Sequence, residues 1–225
     1  MKHNSLQIRP FFVLYVLLYL LVGCSFRAPQ SFEESSNKRS TRTCAVNKTS
    51  QDLRAEKQNI IRIDYLRPIS AIGNPIIYVC KGKRRLYVFD QGVLVRSYPI
   101  GLGKHPIGDK KKRGDGHTPE GNFYVCVKNP KGHYGKALGL SYPDLRRARR
   151  ALLANLISPA EYQDISSALS AGLCPPWDTI LGGEIFIHGG GAQTDWTNGC
   201  IALYDSDMDE LYRIAKIGTP VIVRP

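Results

Sequence analysis

Short runs in which β-branched and aromatic residues alternate with polar ones recur from Pro75 onward. They are PIIYVC (75–80), RRLYVFD (84–90), VLVRSYPIGLG (93–103) and GNFYVCV (121–127). A period of two is that of a strand with one buried face, and the Gly, Lys and Asp-Gln-Gly breaks between the runs supply turns, so a meander is expected. Asp90-Gln91-Gly92 is the clearest turn, with Gly92 free to take a positive φ. From Tyr142 the period changes to that of a helix. YPDLRRARRALLANL (142–156) has helical spacing, and SPAEYQDISSALSAG (158–172) carries its own signposts: Ser158 as N-cap, Pro159 at the first position, Glu161 closing a capping box and Gly172 as terminator. EIFIHG (184–189) then reads as a buried strand, CIALYD (200–205) opens another element, SDMDELYRIAKIG (206–218) is an amphipathic helix, and PVIVRP (220–225) is a last strand. The expected class is mainly β, with a two-helix insertion at 142–172 and a C-terminal helix-strand.

The first sixty residues follow a different pattern. Lys2 and Arg9 precede an apolar run from Phe11 to Gly23, too short for the roughly 20 residues a bilayer span needs but of secretory length. Leu21-Val22-Gly23-Cys24 resembles a bacterial lipobox, which implies acylation of Cys24 and, with Ser25 following it, an outer-membrane destination in a Gram-negative host. Residues 25–57 are polar and poor in aliphatics, the composition of a disordered tether. The expected organisation is a signal peptide (1–23), an acylated N-terminus and tether (24–60) and one domain (61–225) facing the periplasm. In 225 residues there is room for one sizeable core.

The formal net charge is +12, concentrated in KKKRGDGH (110–117) and RRARR (146–150). In an exported chain this argues against nucleic acid and for polyanionic envelope material, including carboxylate-bearing wall peptides. Six cysteines bear on the same compartment: Cys24, Cys44, Cys80, Cys126, Cys174 and Cys200. With Cys24 acylated and Cys200 kept as a thiol, the other four allow three pairings, a cross-strand bridge between Cys80 and Cys126 being one conceivable bond.

The densest chemistry lies in IHGGGAQTDWTNGCIAL (187–203). A cysteine attacks as a thiolate, so it needs a base or cation nearby, and His188 at the end of a strand is the available base. Glycines beside both residues let backbone approach a substrate, and the amides of Gly199 and Cys200 could donate to an oxyanion. A zinc set drawn from His188, Cys200, His117 and Cys174 matches no known spacing, so no metal is expected.

His188-Gly189, TNGCIAL (197–203), GDGHTPEGNFYV (114–125) and LYVFDQGVLVRSYPIGLG (86–103) together resemble the YkuD-like L,D-transpeptidase catalytic domain. The resemblance spans about 74–225 and implies a sandwich-like β fold and a cofactor-free cysteine acyltransferase acting on peptidoglycan stem peptides. It makes Cys200 the nucleophile, His188 the base and the Gly189 carbonyl the group that orients the imidazole, with Thr197, Asn198 and Gly199 lining the oxyanion and substrate side. Two positions depart from the family pattern, where histidine precedes the nucleophile by two and arginine follows it by two: here they are Asn198 and Ala202. Asp195 and Trp196 are the residues at hand to fill part of the arginine's role. Losing a guanidinium removes a bidentate carboxylate clamp, which keeps open a thiol hydrolase of envelope peptides and a non-catalytic wall-binding lipoprotein.

Overall fold

The computed structural model describes residues 61–225. The apolar leader, Cys24, Cys44 and the polar tether lie outside them. Nine strands and three helices follow in the order β1 (Arg62–Ile63), β2 (Pro75–Cys80), β3 (Arg85–Asp90), β4 (Val93–Pro99), β5 (Gly121–Gly132), β6 (Gly135–Leu140), α1 (Leu145–Leu153), α2 (Pro159–Ser170), β7 (Phe186–His188), β8 (Ile201–Ala202), α3 (Asp205–Ile214) and β9 (Pro220–Arg224). The strands form one ladder, β1-β4-β3-β2-β9-β5-β6-β7-β8.

β2, β3 and β4 form the expected antiparallel meander. At the β3–β4 hairpin Gln91 and Gly92 both have positive φ, the twist that lets a two-residue turn continue right-handed strands. The C-terminal strand β9 does not extend this meander at an edge. It inserts between β2, to which it is parallel, and β5, to which it is antiparallel. β5 is long because it serves both halves, its first residues pairing with β9 and its later ones with β6. Ile77, Val79, Leu86 and Val88 of the first half share one core with Leu138, Ile187, Ile201 and Leu203 of the second, and Met208, Leu211 and Ile214 of α3 close it. The ladder thus curls over a common apolar centre, giving the mainly β, sandwich-like architecture expected.

α1 and α2 lie between β6 and β7. Asp144 caps α1 by accepting from the Arg147 amide, and Ser158 with Glu161 makes the reciprocal capping box of α2. Gly172, just past the end, has φ +71°. Ala148, Ala151, Ile157, Ile165 and Leu181 form a small second core beneath the pair.

A disulfide joins Cys126 in β5 to Cys174 after α2. The conceivable Cys80–Cys126 bridge is therefore absent, because β9 separates their strands. Two strand spacings come to about 10 Å, beyond the roughly 7 Å between Cα atoms that a disulfide spans. Cys80 is a free thiol facing the Pro225 carbonyl at 3.6 Å. β6 escaped the periodicity argument because GKALGL has no β-branched residue. Its Gly139 is demanded by packing, since a Cβ there would meet Val127 and lie 2.9 Å from the Phe186 ring.

Candidate active site

β7 is only three residues long, yet it sets the geometry of the site. β6 pairs with one edge of it, Ala137 opposite His188, and β8 runs parallel along the other, Ile201 opposite Ile187 and Ala202 opposite His188. Cys200 immediately precedes β8, and its Sγ accepts from the Phe186 amide at 3.4 Å while donating to the Glu184 carbonyl at 3.5 Å. The thiol thus rests against the β7 backbone two positions before His188. One strand spacing across and two residues along separate the two Cα atoms by roughly 8 Å. Two residues twelve apart in sequence are diagonal neighbours in the sheet.

His188 is 6 % exposed. Its Nδ1 lies 2.6 Å from the Gly189 carbonyl oxygen, and since that oxygen can only accept, Nδ1 carries the hydrogen and the Nε2 lone pair is free. The Tyr134 ring stacks on the imidazole at 4.9 Å, and Trp196 meets it edge-on at 5.6 Å. Trp196 is itself fixed by donating Nε1–H to the Gly191 carbonyl at 3.1 Å. The glycines after His188 have steric causes. A side chain at Gly189 would meet Asp205, and the Gly190 amide, at φ +99°, donates to the same carboxylate at 2.8 Å. The helix start at Asp205 thereby anchors the loop behind the histidine.

Burial pushes the His188 pKa down, with the Gly189 carbonyl opposing. Burial also pushes the Cys200 thiol up, against the Phe186 amide and the Lys110 charge. Both directions favour the neutral forms. Desolvation thus biases the two groups toward a thiol and a neutral imidazole.

The turn before Cys200 is tied internally. Thr197 Oγ1 donates to the Cys200 carbonyl at 2.8 Å and accepts from the Gly199 amide at 3.1 Å. Thr118 donates to that carbonyl at 3.3 Å and accepts from the Gly103 amide at 2.9 Å. The Gly199 amide, expected to donate to an oxyanion, is bonded within the turn. Thr197 likewise spends its hydroxyl within the turn. Among the described residues the Cys200 amide makes no hydrogen bond, and Asn198 is exposed with its side chain unbonded. Cys174, weighed above as a zinc ligand, is consumed in its disulfide.

Lys110 is a site residue that motif reading did not single out. It is 4 % exposed and paired with Asp115 at 2.8 Å, on the loop whose His117 and Thr118 touch the Cys200 turn. Burial opposes ionisation of Asp115, but hydrogen bonds from Lys110 and from the amides of Lys112, Lys111 and His117 outweigh it and hold its pKa at about 2. A lysine in a basic run looks like a solvated surface charge, and only the tertiary ion pair marks it. A cavity of about 630 Å³ between α1 and the β5–β9 edge has neither Cys200 nor His188 on its wall.

The model of the YkuD L,D-transpeptidase catalytic domain matches residues 74–223, two-thirds of the chain and every element of the site. The chain belongs to the YkuD family. A comparison with curated protein sequences gives no match. Among solved structures, this YkuD domain is similar to Bd1075 of Bdellovibrio bacteriovorus, at 21 % identity and a TM-score of 0.46 over 69 % of this chain and 49 % of that one. It is also similar to the helical cell shape determining protein Pgp2 of Campylobacter jejuni, at 22 %, 0.46, 69 % and 53 %, and to an L,D-transpeptidase of Mycobacterium smegmatis, at 14 %, 0.40, 68 % and 59 %. The chain spans about half the length of the first two.

Two features of this YkuD domain stand apart from the family pattern. Ala202 is fully buried and bonded through both its amide and its carbonyl to Gly101, at 2.8 and 2.9 Å. No guanidinium stands at that position. Asp195 does not replace it, because Arg84 binds its carboxylate through Nε and Nη2 and the Leu102 amide adds a third donor at 2.9 Å. Trp196 acts on His188, as described.

Proposed function

We propose that this YkuD domain transfers acyl groups between peptidoglycan stem peptides through a thioester on Cys200. The observation that carries the proposal is the half-buried thiol held on the β7 edge beside a histidine whose Nδ1–H is fixed and whose Nε2 makes no hydrogen bond among the described residues. Cys200 Sγ attacks the carbonyl carbon of a diamino-acid residue in the donor stem as its proton passes to His188 Nε2. The Cys200 amide, which has no hydrogen-bond partner among the described residues, stabilises the negative oxygen that results. As the C–N bond breaks, Nε2–H protonates the leaving terminal D-amino acid, and the stem remains as a thioester. An amine of a second stem then attacks the thioester carbon and loses its proton to Nε2. The C–S bond breaks, the Cys200 thiolate takes that proton back from Nε2, and the new amide completes a cross-link.

A second reading has its own support. With Ala202 buried and the Arg84 guanidinium held by Asp195, the position two after the nucleophile offers no cation to clamp an acceptor carboxylate. Water resolving the same thioester makes the enzyme a thiol hydrolase that trims stems. In either case the N-terminal pattern makes the chain a lipoprotein, acylated at Cys24, at the periplasmic face of an envelope membrane.

Full-length protein in detergent, incubated with purified stem tetrapeptides and followed by mass spectrometry, tests the proposal. Cross-linked dimers that vanish in Cys200→Ala support transfer. Shortened monomers alone assign hydrolysis, and unchanged peptide with active-site cysteine intact removes both. Loss of membrane fractionation and of lipid labelling in Cys24→Ala tests the anchor.

A further inference from the structure

The insertion carries a surface that the proposed chemistry does not use. Successive residues of a helix are turned by about 100°, which sorts α1 into two faces. Arg147, Ala148 and Ala151 are buried and Leu152 partly so, while Leu145, Arg146, Arg149, Arg150 and Leu153 share the opposite, exposed face. Leu145 is 45 % exposed, Leu153 75 %, and Leu156 in the turn that follows 60 %. Arg147 is the inward arginine, paired with Asp109 and Asp144. Arg146 has only long contacts to the same two carboxylates, at 3.8 and 4.0 Å. Arg149 and Arg150 form no ion pair among the described residues, and no acidic residue occurs from Leu145 to Ala160. The first beyond it, Glu161, is turned back on Ser158.

We propose that this face docks the domain onto an anionic phospholipid surface. Charge complementarity is the first argument: the Arg149 and Arg150 guanidiniums have no carboxylate partner among the described residues, Arg146 beside them has only the two long ones, and Arg pairs bidentately with phosphate. The second is the leucines between them. A sugar-peptide polymer would recognise the arginines and leave Leu145, Leu153 and Leu156 in water, whereas a headgroup layer takes both, the guanidiniums at phosphate level and the apolar side chains toward the acyl boundary. Each arginine near such a surface is worth about a fivefold gain in partitioning, screened by salt. Docking through α1 would hold the domain against the membrane independently of any lipid on Cys24.

The test uses the full chain bearing Cys24→Ala, so that acylation plays no part, and vesicles of phosphatidylglycerol with phosphatidylethanolamine against vesicles of phosphatidylcholine. The readout is the ratio of partitioning between the two, compared between this chain and each further variant, so that the leader with its Lys2 and Arg9 is common to all. A ratio of at least tenfold is expected, falling with added salt and abolished in Arg149→Glu/Arg150→Glu. Leu153→Ser/Leu156→Ser should lower binding to the anionic vesicles several-fold with circular dichroism unchanged. Lys131→Glu/Lys216→Glu, which reverses exposed charges elsewhere, should keep most of the preference. All of these variants should process soluble stem peptides like the parent, which separates failure of docking from failure of the catalytic proposal. Equal partitioning onto both vesicles, a preference that survives the double glutamate variant, or loss of binding to isolated wall sacculi in place of vesicles would each overturn it.

Discussion

Replacing Gly199 by alanine tests whether the turn before the nucleophile is as constrained as its geometry implies. Gly199 has φ +127°, and a Cβ built on it lies 2.7 Å from the His117 carbonyl oxygen and 3.3 Å from Ile185 Cδ1. An L-residue at so positive a φ costs about 1–3 kcal/mol. The contact with His117 is to backbone and cannot be relieved by a rotamer change, so overpacking adds about 1–3 kcal/mol. A loss of about 3 kcal/mol follows, which in a domain of this size lowers Tm by about 6–12 °C. Gly218 supplies the control: its φ is +85°, but nothing lies within 4 Å of its Cβ position, so Gly218→Ala should cost only the backbone share, about 1–2 kcal/mol. If Gly199→Ala folds, relaxation must move Cys200 along the β7 edge, and an ångström of misplacement reduces acylation about a hundredfold. Thermal unfolding and the rate of thioester formation on a stem peptide are the assays. Equal Tm losses in the two variants with acylation intact at Gly199→Ala would refute the reasoning, because the clash with His117 would then carry no energy.

Titration of the pair has a defined sign. The folded imidazole binds its proton more weakly than the unfolded one, so stability falls as pH drops through about 6.5 and below. The folded thiol holds its proton more tightly, so stability falls again as pH rises above about 8.5. Alkylation of Cys200 by iodoacetamide should therefore show a midpoint above that of free cysteine; a midpoint near 6 would mean the resting site is an ion pair. Trp196→Ala removes the ring edge against His188 and the bond to Gly191. Acylation by stem peptide should fall at least tenfold while Tm shifts little enough to keep the protein folded at assay temperature, and an unchanged rate would show that the indole does not orient the base. The Cys126–Cys174 bond closes a 48-residue loop, so Cys126→Ser/Cys174→Ser should lose about 4 kcal/mol by the chain-entropy account, read as a lower denaturant midpoint. An unchanged midpoint would mean that the helices dock without it.

What local chemistry dictates was legible along the chain. Alternation in RLYVFD and VLVRSYP marked β3 and β4, and the left-handed preference of Gly92 marked their hairpin. Ser158, Pro159, Glu161 and Gly172 announced both ends of α2, because a cap is made within four residues of itself. His188 and Cys200 stood out by residue type and flanking glycine. β6 was silent, since GKALGL is a strand only through Val127 and Phe186 packed over Gly139.

Long-range partnership belonged to the tertiary structure. Four cysteines permitted three pairings, and the insertion of β9 between β2 and β5 removed the one between Cys80 and Cys126. Lys110 read as one charge in a basic run until Asp115 and burial set it apart. Proton affinity in the site depends on the fold in the same way: a sequence names an acid and a base, but only the fold determines how much water each loses, and here desolvation biases both toward their neutral forms. Local sequence could specify which groups are present because capping, turns and periodicity act over a few residues. Proton affinities and disulfide partners depend on what the rest of the chain brings alongside, and that is settled only when the sheet closes over its core.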